Sequence, residues 1–367
     1  MCSDSKLLLN GRFLTRQLTG VDRVATELSV AIMAMLEKQK VSMALPAQPI
    51  LNKVTRPKAL LRLDIHPTFR LRGYAWEQLA LSVASPESWL LSLCNLGPIF
   101  RSQQVIMIHD AQVFSQPEVY SNVFRWVYHA ILPRVARRAR VVLTVSDFSR
   151  RELESFGVIP SGKAVVVHNG VDHMAKIEAD SEALCRYGLQ VNRYFLAIGS
   201  LAAHKNLPML IAAARSRQDA SLPLIVAGGG NSQVFRDQGL TEEQGIRFLG
   251  RVTDEELKAL YEGARALVFP SKTEGFGLPA LEAMFCGCPV IATTGGAVPE
   301  VCGDAAIYAD PEEPDEWVAA MEKLAVDTSL CNDLSRRGSV RAAGFTWERA
   351  AKVLLDAVAC AEKEVSC

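Results

Sequence analysis

Ten short apolar runs, separated by stretches with helical spacing, limit the folds that are open to this chain. Most are rich in valine and isoleucine, and they are apolar throughout instead of alternating with polar residues. Such strands are buried on both faces of a sheet, and their alternation with helices predicts parallel sheets in an α/β architecture. The runs are LLLN (7–10), QVIMIHD (104–110), RVVLTVS (140–146), AVVVHN (164–169), YFLAIGS (194–200), LPLIVAG (222–228), IRFLG (246–250), ALVFPS (266–271), PVIATT (289–294) and AAIYA (305–309).

The runs fall into two series, which indicates two domains. A polar, acidic stretch at 175–193 separates the series, so we place the domains at 1–178 and 179–345. A length of 367 residues suits two domains better than one core. The region 46–75 is rich in proline and arginine and has no clear periodicity, so it is predicted to be a loop or a mobile insertion.

Cysteine usage and hydropathy bear on the class of protein. Nine cysteines, an odd number without framework spacing, indicate reduced thiols in a cytoplasmic protein. Cys286 and Cys288 have no second pair of cysteine or histidine nearby, so no metal site is expected. No apolar run reaches the roughly 18 residues needed to span a bilayer, and the N-terminus lacks a signal-peptide pattern.

Charge is unevenly distributed although the formal net charge is zero. Residues 1–175 carry 21 Lys and Arg against 13 Asp and Glu, which is +8, and residues 176–367 carry 19 against 27, which is −8. The asymmetry indicates that the basic half faces something anionic, with random drift of surface charge as the alternative. Within that half, the leucine-rich segment 53–72 has six Lys and Arg against one Asp, which is typical of contact with an anionic membrane surface.

Polar residues and glycines follow six of the runs at the point where each ends. Because ligands bind at the carboxyl ends of parallel strands, these residues predict a cleft between the two domains. Strands also end at glycine, serine and asparagine for conformational reasons, which explains the glycines better than His109 and Asp110. The strand-end residues are His109-Asp110, Ser146, His168-Asn169-Gly170, Gly199-Ser200, Gly228-Gly229-Gly230 and the segment after Phe269.

The stretch FPSKTEGFGLPALEAMFCGCPVIAT (269–293) places two glutamates on either side of a Gly-Phe-Gly-Leu-Pro run. Its glycines predict a loop where backbone approaches a ligand, and Pro279 suits the first turn of a helix. Glu274 is expected in the loop and Glu282 in the first helical turn, beside free N–H groups that suit a phosphate. There, Glu282 can accept hydrogen bonds from ribose hydroxyls, while Glu274 faces what lies beyond the phosphates. The alternative is that Glu282 only complements the helix dipole.

Three further residues are candidates for the same site. Lys205 follows a strand–glycine turn and is expected to meet a diphosphate, unless it is an ordinary surface lysine. Gly20 marks the start of the first long helix, where a second anion position is plausible. His109 is either a group that contacts a sugar or an acceptor, or a structural histidine.

Taken together, the motifs resemble a known family. TEGFGLPALEAM is similar to the glutamate–seven–glutamate signature of retaining, family 4 glycosyltransferases, and nine other segments follow the family's order. CNLGPI and GSLAAHKN are most similar to the mannosyltransferase branch that builds bacterial O-antigen and exopolysaccharide chains. The nine segments are LTGVDRVATEL, CNLGPI, VIMIHDAQVF, VVLTVSDFSRREL, VVVHNGVD, AIGSLAAHKNL, IRFLGRVTDEELKALY, GGAVPEVCGDAAIYADP and GFTWERAA.

The resemblance implies the GT-B fold, in which two facing Rossmann-like domains with parallel sheets hold the donor in an interdomain cleft. The first domain is the acceptor side, and a final helix at 346–367 packs back on it. The family needs no metal for donor binding, so the resemblance implies neither a metal nor another cofactor.

The resemblance also implies roles for individual residues. Glu282 holds the nucleotide ribose and Glu274 the hydroxyls of the donor hexose, while Lys205 neutralises the diphosphate beside Gly199. The catalytic set is therefore His109, Lys205 and Glu274. Gly20 and His109 lie near the transferred sugar, and the backbone of four residues approaches sugar and phosphate: Gly275, Phe276, Gly277 and Leu278.

The chain departs from the family's pattern at one position. Many members carry a basic residue directly after the glycine of the strand-end turn, and here that residue is Ser200. Either Lys205 neutralises the diphosphate with only backbone and helix-dipole help, or Arg251 contributes the second positive charge.

The expected function is retaining transfer of a hexose, with mannose from GDP-mannose as the best choice, to a glycan or lipid-diphosphate-linked acceptor of a bacterial surface polysaccharide. No nucleic acid partner is expected, and the location is the cytoplasm, with peripheral contact at the inner face of the cell membrane. The alternatives are a sugar-nucleotide epimerase on the same architecture and a non-catalytic nucleotide-binding partner in a polysaccharide-assembly complex.

Overall fold

The computed structural model describes residues 6–16, 19–36, 40–46, 59–60, 63–66, 71–199, 202–219, 221–229 and 245–366. The chain divides into two compact units. Unit 1 comprises Met1–Gly170 together with Thr346–Cys367, and unit 2 comprises Val171–Phe345. The acidic stretch 175–193, expected from the sequence to link the domains, lies within unit 2 and contains a short helix at Ala183–Arg186.

Unit 1 is built on a sheet of seven parallel strands. Its strands are β1 (Leu7–Asn10), β2 (Val41–Ala44), β3 (Asp64–His66), β4 (Trp89–Ser92), β5 (Gln104–Met107), β6 (Val141–Thr144) and β7 (Ala164–Val166). Their order across the sheet is β3-β2-β1-β4-β5-β6-β7. Strands β1, β4, β5 and β6 are buried along their whole length, as expected for strands covered on both faces.

Unit 2 contains a second parallel sheet, of six strands. These are β8 (Phe195–Ile198), β9 (Leu224–Ala227), β10 (Ile246–Gly250), β11 (Ala266–Phe269), β12 (Val290–Thr293) and β13 (Ile307–Ala309). Their order is β10-β9-β8-β11-β12-β13. The core of this unit places Phe195 and Val268 of the sheet with Trp317 of a covering helix, and all three are fully buried.

Helices follow most of the strands and cover the sheets. The α-helices are α1 (Gly20–Met35), α2 (Gly73–Ala75, continued by a π-helical turn at Trp76–Ala80 and by Leu81–Val83), α3 (Gln112–Ser115), α4 (Asn122–Arg138), α5 (Asp147–Ser155), α6 (Ala183–Arg186), α7 (Leu207–Ser216), α8 (Asp254–Gly263), α9 (Leu278–Phe285), α10 (Val298–Cys302), α11 (Pro314–Val326), α12 (Thr328–Ala343) and α13 (Trp347–Ser366). Short 3₁₀ turns occur at Gly11–Thr15, Pro117–Val119, Asp172–Lys176 and Ala203–Lys205.

Side-chain caps begin several of these helices immediately after a strand or loop. Thr19 and Asp22 form a reciprocal capping box at the start of α1, and Thr253 and Glu256 form another at α8. Ser146, one of the strand-end residues, accepts a hydrogen bond from the backbone N–H of Ser149 at 2.9 Å and caps α5. The role of Ser146 in the described structure is therefore that of a helix cap.

The expected α/β architecture with parallel sheets is confirmed, and each of the ten apolar runs contains a strand. Three strands were not predicted, namely β2, β3 and β4. Asp64–His66 is polar and forms the edge of its sheet, and Trp89–Ser92 is rich in leucine instead of β-branched residues. The prediction of a loop or mobile insertion at 46–75 is wrong at Asp64–His66, which is a strand, and at Gly73–Ala75, which is helical.

The C-terminal helix α13 belongs to unit 1, where it packs along α1. Trp89 Nε1 donates a hydrogen bond to Oε1 of Glu362 at 2.9 Å and fixes the far end of this helix to β4. Gly170 touches the start of the helix so closely that a Cβ would lie 2.2 Å from the backbone nitrogen of Trp347. Within the described part of the chain, no helix is long and apolar enough to cross a membrane.

Candidate functional site

Strand β11 leads into the predicted loop and then into helix α9, as the glycines and proline of this stretch indicated. Gly277 precedes the helix in the left-handed conformation, with φ of 95°. Its carbonyl accepts hydrogen bonds from the N–H groups of Ala280 and Leu281, and Pro279 occupies the first turn. A Cβ on Gly277 would lie 3.1 Å from Cγ2 of Val298, so both the backbone angle and the packing favour glycine here.

The loop that carries Glu274 is fixed by the neighbouring turn before α10. The N–H of Ala297 donates to the carbonyl oxygen of Glu274 at 2.9 Å. Gly296 has φ of 69°, and a Cβ there would lie only 2.4 Å from the backbone nitrogen of Glu274. Gly295 approaches the carbonyl of Lys272 in the same way, since its Cβ would lie 2.2 Å from that oxygen. Two consecutive glycines therefore let a second backbone segment support the position of Glu274.

Lys205 and Glu274 form an ion pair, in which Nζ lies 2.6 Å from Oε1. The lysine lies in the short turn Ala203–Lys205, which is joined to the Glu274 loop by a hydrogen bond from the N–H of Lys272 to the carbonyl of His204. Asn206 adopts the left-handed conformation after this turn and donates from Nδ2 to the carbonyl of Pro311 at 2.6 Å. Both partners of the ion pair are partly exposed, so they remain accessible to a ligand.

Glu282 differs from Glu274 because it is buried and has two protein donors. His173 Nε2 lies 3.2 Å from Oε1, and the hydroxyl of Tyr261 donates to Oε2 at 3.3 Å. Burial, reinforced by the Glu282 carboxylate, raises the pKa of Tyr261 well above its usual value, so the phenol stays protonated and remains a donor. Each carboxylate oxygen can accept more than one hydrogen bond, so Glu282 keeps acceptor capacity for a ligand.

The position of Glu282 corrects one expectation from the sequence. Helix α9 begins at Leu278, so Glu282 is its fifth residue and lies beyond the first turn. The helix-dipole effect falls off within that turn. Glu282 thus lies too far along the helix, and is bound by two other donors, for interaction with the helix dipole alone to explain it.

His173 and Tyr261 are the residues of this site that the sequence did not single out. His173 lies 109 positions before Glu282 in the chain, and Tyr261 lies 21 positions before it, so no local spacing connects them to Glu282. The strand-end segment His168-Asn169-Gly170 lies just before His173 and was already predicted to contact a ligand. The sequence therefore indicated this region of the site, although not His173 itself. A tyrosine at the end of an amphipathic helix, such as Tyr261, gives no comparable signal.

The remaining donor-side candidates occupy the same edge of the unit 2 sheet. Gly199 directly follows β8, and a Cβ on Gly228, directly after β9, would lie 2.7 Å from the carbonyl oxygen of Gly199. The N–H of Gly228 donates to the carbonyl of Gly250, and the exposed Arg251 follows directly. Ser200 lies outside the described residues.

Three residues of the signature segment differ in burial. The ring of Phe276 is buried against Phe345, with the ring centroids 6.0 Å apart, so only its backbone can approach a ligand. Leu278 is half-buried as the first residue of α9. Gly275, between Glu274 and Phe276, is likewise half-buried.

Gly20 and His109 belong to unit 1. Gly20 begins α1, and a Cβ on it would meet none of the described atoms within 4 Å. His109 follows β5 and is buried, with Nε2 2.9 Å from the carbonyl oxygen of Leu93. Because a carbonyl can only accept, Nε2 carries the proton and Nδ1 carries the lone pair. Burial lowers the pKa of His109 to about 4, so the ring is neutral near pH 7.

In chemical terms, unit 2 places one ammonium group and one carboxylate in contact near the start of α9, and a second, hydrogen-bonded carboxylate farther along that helix. A helix N-terminus and an ammonium group suit a diphosphate, and carboxylates suit sugar hydroxyls. Among the described residues, no group of three His, Cys, Asp or Glu side chains is placed to hold a metal ion.

Comparison with solved structures identifies the fold. Anabaena Alr3699/HepE, whose structure was determined in complex with UDP-glucose, superimposes with a TM-score of 0.72. The two chains are 19% identical, and the match covers 99% of this chain and 100% of that one. The fold is the GT-B fold of glycosyltransferases.

Comparison with sequences identifies the family. The model of glycosyltransferase family 4 matches residues 45–174, and the model of glycosyl transferases group 1 matches residues 189–341. The chain is 35% identical to O-antigen chain mannosyltransferase B of Escherichia coli over 255 residues, which are 66% of this chain and 67% of that protein. It is 30% identical to O-antigen chain mannosyltransferase RfbU of Salmonella typhimurium over 230 residues, 62% of each chain.

The alignment with RfbU thus spans less than two thirds of that protein's length. The chain belongs to the family 4 glycosyltransferases, and the resemblance seen in its motifs is confirmed.

Proposed function

We propose that the protein transfers a mannosyl residue from GDP-mannose, with retention of configuration, to a glycan or lipid-diphosphate-linked acceptor during synthesis of a bacterial surface polysaccharide. The names of the Escherichia coli and Salmonella typhimurium relatives, both O-antigen chain mannosyltransferases, support the sugar and the pathway class. The neighbour determined with UDP-glucose binds a different nucleotide sugar, so the nucleotide base is the first point to test.

The contact between Lys205 and Glu274 is the observation that carries this proposal. Transfer of a sugar develops negative charge on the departing diphosphate and positive charge on the anomeric carbon. Preorganised charges near both positions lower the barrier. When the donor binds, Lys205 is positioned to meet the diphosphate beside the N-terminus of α9, and Glu274 then accepts hydrogen bonds from the hexose hydroxyls. Arg251 is the candidate for a second positive charge.

Glu282 binds the ribose in this proposal. Its carboxylate is held by Tyr261 and His173, so its orientation is set before the nucleotide arrives. Binding to a preoriented acceptor loses less conformational entropy than binding to a mobile side chain. Two adjacent ribose hydroxyls can use the acceptor capacity that the two protein donors leave.

Retention is assigned to front-face transfer. The acceptor hydroxyl attacks the anomeric carbon on the face from which the diphosphate leaves, the C–O bond to phosphate breaks, and the hydroxyl proton passes to the departing phosphate oxygen. Neither glutamate is required as a covalent nucleophile. His109, neutral and with a lone pair on Nδ1, would act as a hydrogen-bond acceptor toward the sugar, while a Cβ on Gly20 at the start of α1 would meet none of the described atoms within 4 Å.

Contact with the membrane is part of the proposal and rests on helix α4. Val123 and Trp126 are each 73% exposed near its N-terminal end. Arg134 and Arg137 are exposed farther along, at spacings that place them on the same side of the helix. Apolar and aromatic side chains combined with arginines are typical of helices that lie on an anionic lipid surface. The basic segment 53–72 lies largely outside the described residues.

A thermal-shift panel of GDP-, UDP-, ADP- and dTDP-sugars tests the donor, because a ligand that binds only the native state raises its melting temperature. GDP-mannose should give the largest shift, and a larger shift with another nucleotide would overturn that choice. Incubation with donor alone then separates the functions. A transferase releases nucleoside diphosphate only with an acceptor, an epimerase forms a new sugar nucleotide, and a non-catalytic partner binds without either reaction.

A further inference from the structure

Helix α8 contacts Glu282 through Tyr261 and a second segment of unit 2 through Lys258. The hydroxyl of Tyr261 donates to Oε2 of Glu282 at 3.3 Å. Lys258 lies three residues before Tyr261, on the same face of the helix. Its Nζ donates to the carbonyl oxygen of Met174 at 3.0 Å and to that of Ile177 at 2.7 Å. One helix face is therefore hydrogen-bonded to two parts of the unit that are distant in the sequence.

The two carbonyl groups that Lys258 binds belong to the turn that carries His173. This 3₁₀ turn spans Asp172–Lys176, and Ile177 follows it directly. Carbonyl groups at the end of a helical turn need partners from outside it, and a cation there meets the negative end of the peptide dipoles. Because His173 directly precedes Met174, Lys258 holds the backbone beside the imidazole.

The contact with the turn is the main interaction of the Lys258 ammonium group. The side chain is only 16% exposed, and an ammonium group removed from water needs hydrogen-bond acceptors, which the two carbonyls supply. Glu262 lies 3.9 Å from Nζ, but its side chain is 45% exposed, and a surface ion pair of this kind contributes little to stability. The two carbonyl contacts therefore account for the placement of this lysine.

The position of the turn decides whether His173 can support Glu282. The imidazole is buried, and its Nε2 lies 3.2 Å from Oε1 of Glu282. A carboxylate oxygen accepts, so Nε2 carries the proton of this bond. A distance of about 3.2 Å is the upper end of the usual range for an N–H···O bond. A small displacement of the turn would therefore break it.

We propose that Lys258 is a positioning residue for the nucleotide ribose, because it holds the turn that places His173 against Glu282. The inference deepens the proposed function and rests on it, since it takes Glu282 as the residue that binds the ribose. Without Lys258, the Glu282 carboxylate keeps its charge and the Tyr261 donor but is less well oriented. Binding to a less ordered acceptor costs more conformational entropy, so the ribose contact weakens.

Calorimetry of the full chain with GDP and with 2′,3′-dideoxy-GDP tests this inference. The ratio of the two affinities measures the ribose contact, and a general loss of stability does not change it. Lys258→Met keeps a long unbranched side chain without a donor and should lower the ratio about threefold to tenfold, the effect of one lost hydrogen bond. Lys258→Arg keeps a cation that can donate to both carbonyls, so it should retain the ratio within about twofold. If the thermal-shift panel selects another base, the corresponding pair of nucleotides replaces these two.

A double variant shows whether Lys258 acts through His173. His173→Phe removes the imidazole donor and should lower the ratio by itself. Adding Lys258→Met to His173→Phe should lower the ratio by less than about a further twofold, because the turn then no longer supports Glu282. Independent losses that multiply in the double variant would overturn the inference.

Lys163→Met is the matched control. Nζ of Lys163 likewise donates to a backbone carbonyl, that of Arg137 at 2.7 Å, but in unit 1. This variant should bind both nucleotides as the wild type does. If Lys258→Met does not fold, Lys258→Gln provides the same comparison with a shorter, neutral side chain.

Two further results have different meanings. A wild type that prefers the ribonucleotide, with the same preference in Lys258→Met, would overturn the role of Lys258 and leave the proposed function intact. A wild type without any preference for the ribonucleotide would refute the assignment of the ribose to Glu282, and the role of Lys258 with it.

Discussion

Nζ of Lys205 lies 2.6 Å from Oε1 of Glu274, so the cation proposed for the leaving group and the carboxylate proposed for the hexose are paired with each other. A charge-assisted hydrogen bond of this kind is stronger than a neutral one, and it keeps both side chains in defined positions. A donor that takes both groups must replace this contact with one to phosphate and one to sugar. The pair therefore links the placement of the diphosphate to that of the hexose.

Removing the charge of Glu274 should slow transfer more than it weakens nucleotide binding. In Glu274→Gln, Lys205 stays available to the diphosphate but the hexose loses a charged acceptor, so kcat should fall about tenfold or more. The dissociation constant of the nucleoside diphosphate should change by less than about threefold. Nucleotide-release kinetics and calorimetry measure the two effects. Glu312→Gln, at an exposed ion pair with Lys272, is the control, and wild-type turnover in Glu274→Gln would refute the role of Glu274.

Glu282→Gln should weaken nucleotide binding more than it slows transfer. Hydrogen bonds to a charged group contribute about 1.5–3 kcal/mol, so affinity for the nucleoside diphosphate should fall about tenfold to a hundredfold. Calorimetry that compares the affinity for the ribonucleoside diphosphate with that for its 2′,3′-dideoxy analogue tests the contact between Glu282 and the ribose hydroxyls. The wild type should prefer the ribonucleotide strongly, and Glu282→Gln should bind both almost equally. A preference that persists in the variant would mean that another residue holds the ribose.

The matched variant for this test is Glu262→Gln. Glu262 lies on α8, where it is exposed and 3.9 Å from Lys258. Its loss should leave the ribose preference unchanged. Tyr261→Phe removes one of the two donors to Glu282, which leaves the carboxylate charged but less well oriented. Its preference for the ribonucleotide should therefore lie between that of Glu262→Gln and that of Glu282→Gln.

The apolar runs and the signature loop were predictable because their information is local. A run such as ALVF is apolar whatever surrounds it, and Gly277 and Pro279 give the turn and the helix start by their own conformational limits. Strand β3 was not predictable, since Asp64–His66 is a strand only because β2 lies beside it. The support of Glu282 by His173 and Tyr261 and the pairing of Lys205 with Glu274 are likewise tertiary contacts, which no spacing in the sequence reveals.

Gly296→Ala should displace Glu274 from its position. The new Cβ would lie 2.4 Å from the backbone nitrogen of Glu274, and φ of 69° is unfavourable for alanine by about 1 kcal/mol or more. Both the melting temperature and kcat should fall. Gly20→Ala is the contrasting variant, because a Cβ there meets none of the described atoms within 4 Å. It should keep the wild-type melting temperature, and a loss of turnover would support the proposal that Gly20 lies near the transferred sugar.

His109 should make the stability of the protein depend on pH. Burial lowers its pKa to about 4 in the folded state, although Asp22 nearby acts in the other direction. The unfolded value is about 6.5, so the unfolded chain binds the proton first as pH falls, and stability is lost between these two values. At about pH 5 the loss should amount to roughly 2 kcal/mol relative to neutral pH.

Urea unfolding of the wild type and His109→Gln at neutral and acidic pH measures this contribution. Glutamine can still donate to the carbonyl of Leu93 but does not titrate, so the variant should lose less stability on acidification than the wild type. If the free energy of unfolding fell equally in the two proteins on acidification, His109 would be protonated as readily in the folded state as in the unfolded chain.

Helix α4 should bind anionic vesicles at low ionic strength. Trp126 and Val123 can enter the lipid interface while Arg134 and Arg137 meet the headgroups, and each basic residue near the surface contributes about 1 kcal/mol. Cosedimentation with phosphatidylglycerol vesicles should therefore fall in Trp126→Ser and in the double variant Arg134→Gln/Arg137→Gln. It should also fall as salt is raised, because the Debye length shortens to about 8 Å at physiological ionic strength.

Val326→Ser, at a position 81% exposed in unit 2, should bind the vesicles as the wild type does. Equal retention of all four proteins would place the membrane contact elsewhere, and retention by neutral vesicles alone would contradict the electrostatic part of the argument.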